Sequence, residues 1–138
     1  MRNPTLYPIM KRLALFWSLA VGAMDALTGL LLILSPALVL RLLGIAELPA
    51  ESLVFLSWIG VFVAATGLSY GLSWRGGIAA ETVWTFTAGV RFSVAALLAV
   101  KIASGNLPAA WAMVAAADAA VATVQVIGLK AGWWKDPA

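Results

Sequence analysis

The stretch Val21–Leu31, VGAMDALTGLL, carries one charged residue, Asp25, in an otherwise apolar run. It lies within a longer apolar segment, from about Leu13 to Leu34, that can cross the hydrocarbon of a bilayer. An isolated charge near the middle of such a span costs about 2.5–3.5 kcal/mol on insertion scales. The sequence repeats this arrangement at Arg91 and at Asp118, each inside another apolar run. We therefore expect one explanation for all three residues.

The composition also indicates a bilayer. Of the 138 residues, 63% are hydrophobic and 11% are charged, whereas soluble domains carry about 25% charged residues. We predict a single integral membrane domain, residues 1–138, which a lipid bilayer surrounds. The net charge of +3 does not predict nucleic-acid binding, because the basic residues flank apolar spans. The chain has no Cys and no His, which removes thiol nucleophiles, zinc or haem ligation by those side chains and imidazole acid–base chemistry, so that any proton chemistry must use carboxylates, Tyr or Lys. We expect no metal site and no cofactor, and we assign no catalytic residue.

Four apolar segments are long enough to cross a membrane, since a helix needs roughly 20 residues to span about 30 Å. They cover approximately residues 13–34, 52–73, 79–102 and 108–129. Short turns at Arg75–Gly77 and Ser104–Asn106 separate the last three spans, and short turns make neighbouring helices antiparallel. The sequence therefore predicts an all-α fold, a four-transmembrane-helix antiparallel bundle.

The longer connection between the first two spans predicts a short interfacial helix. The stretch PALVLRLLGI, Pro36–Ile45, begins with proline and has Gly44 where a helix C-cap would fall. Such a helix would lie at the membrane surface with Arg41 toward the headgroups. The alternative, that the first helix continues with a kink at Pro36, is equally consistent with the sequence.

Basic residues in the flanks predict the orientation, because Lys and Arg are enriched on the cytoplasmic side. One side carries Arg2, Lys11, Arg12, Arg75, Lys130 and Lys135, and the other carries Arg41 and Lys101. We expect a bacterial inner (plasma) membrane protein with both termini cytoplasmic. The tryptophans fall near the predicted span ends and are interpreted as interface anchors, Trp84 and Trp134 included.

Small residues recur on one face of each of the first two spans. Lipid tails are as apolar as leucine, so membrane helices associate through small residues that allow close contact. The first span carries Gly22, Ala26 and Gly29, and the second carries Gly60, Ala64, Gly67 and Gly71. Packing within one bundle is the simpler interpretation of these stripes, and a docking face for a second subunit is the alternative.

The three intramembrane charges fall at a similar depth, roughly 17–18 Å from the cytoplasmic boundary at 1.5 Å per residue. Each shares a helical face with small or polar neighbours. A guanidinium can serve two carboxylates with its planar fork. We therefore predict a buried network of Asp25, Arg91 and Asp118.

This network has two interpretations. It fixes the helix register as a structural element, or it lines a polar pocket or a proton path. Glu81 could extend such a path, although an interfacial glutamate is more often solvated. Gln125 lies on the face of Asp118, where a helix–helix hydrogen bond is the simpler role. The candidate ligand-binding or proton-linked residues are Asp25, Glu81, Arg91, Asp118 and Gln125.

Two stretches resemble the DoxX-like family of small four-helix membrane proteins. They are GLLLILSPALVLRLLGI, Gly29–Ile45, and the glycine-rich WIGVFVAATGLSYGL, Trp58–Leu72. The resemblance covers the first half of the chain, and Ser57 and Trp58 stand where that family would have a basic residue. It implies an accessory role, since members of the family are linked to quinone-coupled oxidoreductase complexes, and it implies no catalytic residue.

Three functions fit the sequence. The first is a non-catalytic accessory or assembly subunit of a larger membrane complex, or a homo-oligomer; the short loops favour it because they leave no soluble domain for chemistry. The second is a binding protein, or an enzyme, for a quinone-, sterol- or lipid-like ligand in a polar intramembrane pocket. The third is a proton-coupled transporter, which would need a homo-oligomer because four helices make too little wall for a pore.

Overall fold

A computed structural model describes residues 7–135, which are helical with short connections and contain no strand. The helices are α1 (Tyr7–Leu34), α2 (Pro36–Leu42), α3 (Ala50–Ser69), α4 (Gly77–Ala103) and α5 (Ala112–Ala131). Segments of 3₁₀ helix cover Tyr70–Arg75 and Ala109–Trp111. Four helices are long and apolar enough to cross a membrane. The all-α class with four long apolar segments is therefore confirmed. Arg2, which was counted toward the orientation, lies outside the described residues.

The connection after α1 forms a separate helix, not a kinked continuation. Ser35 has a φ of −153°, so the backbone leaves the helical region between α1 and α2. Gly44 ends this part of the chain with a φ of +67°, a left-handed conformation that favours glycine, and its N–H donates to the Arg41 carbonyl at 3.0 Å. Leu40 is buried while Arg41 is exposed. The short helix is thus amphipathic, as predicted.

Helices α1 and α3 approach so closely that their glycines leave no room for a side chain. A Cβ on Gly29 would lie 2.3 Å from the Ala64 nitrogen, and one on Gly67 would lie 2.3 Å from the Ala26 nitrogen. These contacts pair residues in opposite order, so the two helices run in opposite directions. The contact surface comprises Gly22, Ala26, Gly29, Gly60, Ala64 and Gly67. The two predicted stripes therefore pack against each other within one chain.

The predicted stripe on α3 departs from the structure at its last member, Gly71. The α-helix gives way to 3₁₀ helix at Tyr70, and the number of residues per turn falls from 3.6 to about 3.0. This change places Tyr70 inside and leaves Gly71 exposed, with no atom within 4 Å of its Cβ position. Gly71 consequently does not belong to the packing stripe, and Tyr70 takes its place.

The four long helices form two layers, α1 with α3 and α4 with α5. Contacts between the layers are made by long side chains. Trp84 donates its indole N–H to Ser18 Oγ at 2.7 Å, and Arg91 binds Asp25. Both pairs are separated by 66 residues, so α1 and α4 run in the same direction at matching heights.

The molecule has two ends, which we name by their contents. The terminal end holds the start of α1, the Tyr70–Arg75 segment and the end of α5; the loop end holds α2 and the connection between α4 and α5. A cluster of buried hydrophobic residues lies between the Asp25–Arg91 level and the terminal end. Its members are Ala14, Val21, Tyr70, Ala80, Val83, Trp84, Val121 and Trp134.

Two tryptophans predicted at the interface are core residues. Gly132, with a φ of +66°, ends α5 and lets the chain fold back. The Trp134 and Trp84 rings then pack in an edge-to-face arrangement with 5.3 Å between their centroids, and both rings are buried. The interpretation of Trp84 and Trp134 as anchors is wrong because both lie on inward faces. Trp58 and Trp74 are exposed, which is compatible with anchoring.

We expect Gly67→Ala to lower the free energy of unfolding by about 1–3 kcal/mol, because the added methyl meets the α1 backbone. Gly71→Ala is the matched control, and we expect it to be neutral or to stabilise by at most about 1 kcal/mol. Equilibrium unfolding in mixed detergent micelles measures both values. Equal effects of the two substitutions would contradict the close α1–α3 contact.

Candidate functional site

Arg91 on α4 binds one carboxylate from each of two other helices. Its Nη2 donates to Oδ2 of Asp25 on α1, and its Nη1 donates to Oδ1 of Asp118 on α5. Asp25 and Arg91 are buried, and Asp118 is the most exposed of the three, with 18% of its side chain accessible. Each terminal nitrogen thus serves a different partner, which the planar guanidinium fork allows. The structure brings together the three residues predicted to meet.

Small neighbours leave room for the long arginine side chain. Ala88 and Ala95 lie one turn before and one turn after Arg91, and both are buried on the same face of α4. On α5, the buried Ala122 lies one turn from Asp118. Alanines at these positions leave the space between the layers open, and the Arg91 side chain spans it.

A second set of polar groups continues the network toward the terminal end. The Gln125 Nε2 donates to the Tyr70 hydroxyl and to Thr87 Oγ1, each at 2.8 Å. The Tyr70 hydroxyl also accepts a long hydrogen bond of 3.5 Å from Arg91 Nε. Tyr70, Thr87 and Gln125 are fully buried. The combined network therefore joins α1, the Tyr70–Arg75 segment, α4 and α5.

The network retains unused acceptors. When all three charged groups are ionised, one guanidinium and two carboxylates sum to −1. Within residues 7–135, Asp25 Oδ1 and Asp118 Oδ2 receive no hydrogen bond, and the buried Gln125 Oε1 has no partner. The site can accordingly accept further hydrogen-bond donors or a positive charge, and it has little capacity for an anion.

Glu81 lies apart from the network. It is ten residues before Arg91 on α4, a separation of about 15 Å along the helix. Its neighbours form an outward surface made of Ile78, Thr82, Thr85 and Phe86. The structure therefore does not connect Glu81 to the trio. No group of three or more His, Cys, Asp or Glu side chains in the described part of the chain could hold a metal ion.

Two network residues, Tyr70 and Thr87, were not predicted from the sequence. Thr87 could have been found, because it lies three residues after Trp84 and four before Arg91, on the predicted inward face. Tyr70 follows Gly67 by three residues, a spacing that also keeps the same helical face. Whether Tyr70 or Gly71 faces inward depends on the 3₁₀ turn, and the local sequence does not specify that turn.

We expect Arg91→Leu to lower the free energy of unfolding by about 3–5 kcal/mol, because two carboxylates would stay buried without a counter-charge. Lys101→Leu, at an exposed site on the same helix, should change it by less than about 0.5 kcal/mol. Replacing all three charges together, with Asp25→Asn, Arg91→Gln and Asp118→Asn, should recover part of the loss. A stable Arg91→Leu protein in detergent would contradict the network.

Tyr70 and Gln125 should be energetically coupled. Tyr70→Phe and Gln125→Leu each remove one side of the 2.8 Å hydrogen bond, and we expect each to cost about 0.5–2 kcal/mol. The double variant should cost less than the sum, since the first substitution already breaks the bond. Unfolding of the four proteins in a double-mutant cycle measures the coupling, and strict additivity would argue against the bond.

Comparison with known proteins found no match to this chain. No family model matches the chain, no curated protein matches it, and no solved structure matches it. The DoxX-like resemblance thus stays a prediction from two sequence stretches.

Proposed function

We propose that the four long helices form an antiparallel transmembrane bundle, and that the protein is a non-catalytic accessory or assembly subunit of a larger membrane complex. The helix surfaces support membrane insertion, since they expose large apolar side chains such as Phe16, Phe62, Phe86 and Leu97. Bilayer lipid covers such surfaces without cost. The basic residues Lys11, Arg12, Arg75, Lys130 and Lys135 cluster toward the terminal end, which supports cytoplasmic termini.

The polar network supports a structural role for the buried charges. Asp25, Arg91 and Asp118 bind one another, and Tyr70, Thr87 and Gln125 bond among themselves beside them. Breaking these contacts would leave polar groups unpaired in a medium of low polarity, which costs free energy. Their mutual contacts hold three spans in register, and the activity of the protein is then exerted through its outer surface.

Gly89 indicates which part of the outer surface contacts the partner. A glycine inside a helix costs about 0.5–1 kcal/mol relative to alanine. Gly77, the first residue of α4, has a φ of +51° that favours glycine. The other glycines of the described α-helices are explained by contacts under 3 Å that a Cβ would make, whereas nothing lies within 4 Å of the Gly89 position. Gly89 is exposed near the middle of α4. A close helix contact from outside the chain would account for it.

The surroundings of Gly89 fit a transmembrane helix of a partner. The residues beside it form a shallow depression lined by Thr85, Phe86, Gly89, Val90, Ser93 and Val94. The Ser93 hydroxyl donates to the Gly89 carbonyl at 2.9 Å, so it is satisfied without water. A depression with a glycine in it, beside a serine whose hydroxyl bonds within its own helix, allows a partner backbone to approach closely. The partner is a different membrane subunit or a second copy of the chain.

Particle mass in mild detergent tests the proposal. The parent protein, extracted from its native membrane, should run as an assembly larger than the 14.5 kDa chain. Gly89→Leu should weaken the assembly by about tenfold or more, because it fills the depression. Ala120→Leu also introduces a leucine at an exposed site, on α5, and should leave the mass unaltered. A monomeric parent, or equal effects of both substitutions, would end the proposal.

A further inference from the structure

The depression at Gly89 is one part of a longer groove on the outer face of α4. A second depression continues it toward the terminal end, and the two share Thr85 and Phe86. The combined groove runs from Ile78 to Val94, a rise of about 24 Å along the helix axis. That length covers most of the ~30 Å of hydrocarbon in a bilayer. The groove therefore fits an elongated occupant that crosses the membrane beside α4, whereas a loop or a lipid head group would fill only one end of it.

The residues that line the groove form two rows, each with a spacing of four residues. The row with the smaller side chains contains Thr85, Gly89 and Ser93, and the other contains Ile78, Thr82, Phe86, Val90 and Val94. Small residues at this spacing are typical of membrane helices that pack backbone against backbone. The chain uses the same spacing in the contact of α3 with α1, at Gly60 and Ala64. The occupant that suits the groove is accordingly another transmembrane helix.

A carboxylate stands at the terminal end of the groove. Glu81 lines it four residues before Thr85, in line with the small-residue row. Glu81 is half-buried, and within residues 7–135 it takes part in no hydrogen bond or ion pair. A helix lying in the groove would cover this carboxylate further, and a covered charge without a partner is costly in a membrane. A helix that carries Lys or Arg at that end removes the cost.

A second copy of this chain does not bring such a cation on the same surface. The lining of the groove includes one acidic residue, Glu81, and no basic residue. Two facing grooves would thus contribute two carboxylates and no counter-charge. Membrane spans in general carry Lys and Arg at their cytoplasmic ends. In the proposed orientation, a span from another protein places such a residue beside Glu81.

We infer that the groove holds a transmembrane helix of a different protein, and that a Lys or Arg at the cytoplasmic end of that helix pairs with Glu81. Gly89 admits the backbone of the partner helix, and Glu81 selects a helix with a basic residue at the right height. The inference rests on the proposed subunit role. It goes further because it names the chemistry of the partner, where that role allows a different subunit or a second copy.

Two affinity tags decide between a different protein and a second copy. Two versions of the full chain, each with its own tag, are produced together in the native host, and the assembly is isolated in mild detergent through the first tag. We expect the particle to be larger than the chain and to lack the second tag. Recovery of the second tag in the same particle would reject a different protein as the partner, and the proposed subunit role would stand.

Glu81→Gln tests the ion pair. The substitution keeps the size of the side chain and removes its charge, so it should weaken the assembly about fivefold to tenfold. Raising NaCl from about 0.1 M to about 0.5 M should weaken the parent assembly more than that of the variant, because salt screens the pair. Glu51→Gln makes the same change at an exposed site at the start of α3 and should assemble as the parent does.

The outcomes separate this inference from the proposed subunit role. If Glu81→Gln assembles as the parent does while Gly89→Leu still disrupts the particle, the inference is rejected and the subunit role stands. A monomeric parent would end both, and it would leave lipid as the occupant of the groove.

Discussion

A single guanidinium that serves two carboxylates is the constraint on which this structure depends. Asp25 and Asp118 lie in different layers, and each can be buried only where the Arg91 side chain reaches it. The pairing therefore fixes the rotation of three helices and their relative heights. The length of the arginine side chain also sets the gap between the layers. That gap is wider than the α1–α3 contact, where glycines bring the two backbones together.

The parts of the fold that follow from fixed helix geometry could be predicted from the sequence. A constant rise per residue placed the three charges at one height, and a constant turn angle placed the small residues of α1 and α3 on matching faces. The exceptions arise where the geometry changes. The 3₁₀ turn at Tyr70 moved Gly71 out of its stripe. Trp84 was misplaced because a tryptophan near a span end can face lipid or the core equally well, and only its contact with Ser18 decides.

Two kinds of interface hold the long helices together, one within the α1–α3 layer and one between the two layers. The α1–α3 interface is made of backbone and small side chains, so it has few ways to rearrange. The interface between the layers includes side-chain hydrogen bonds around Arg91, Tyr70 and Gln125. The outward surface at Gly89 and the inward surface at Arg91 lie on different sides of α4. A protein partner at Gly89 therefore does not contact the buried network.

The separation of the charged residues along the chain has a consequence for biosynthesis. Arg91 is synthesised 66 residues after Asp25, and Asp118 follows 27 residues later. The ribosome thus synthesises Asp25 long before its counter-charge exists. Helices α1 and α3 can already pack through their glycines at that stage. Asp25 gains its counter-charge only when α4 has been made. The contact between Asp25 and Arg91 can therefore form only after α4 has been synthesised.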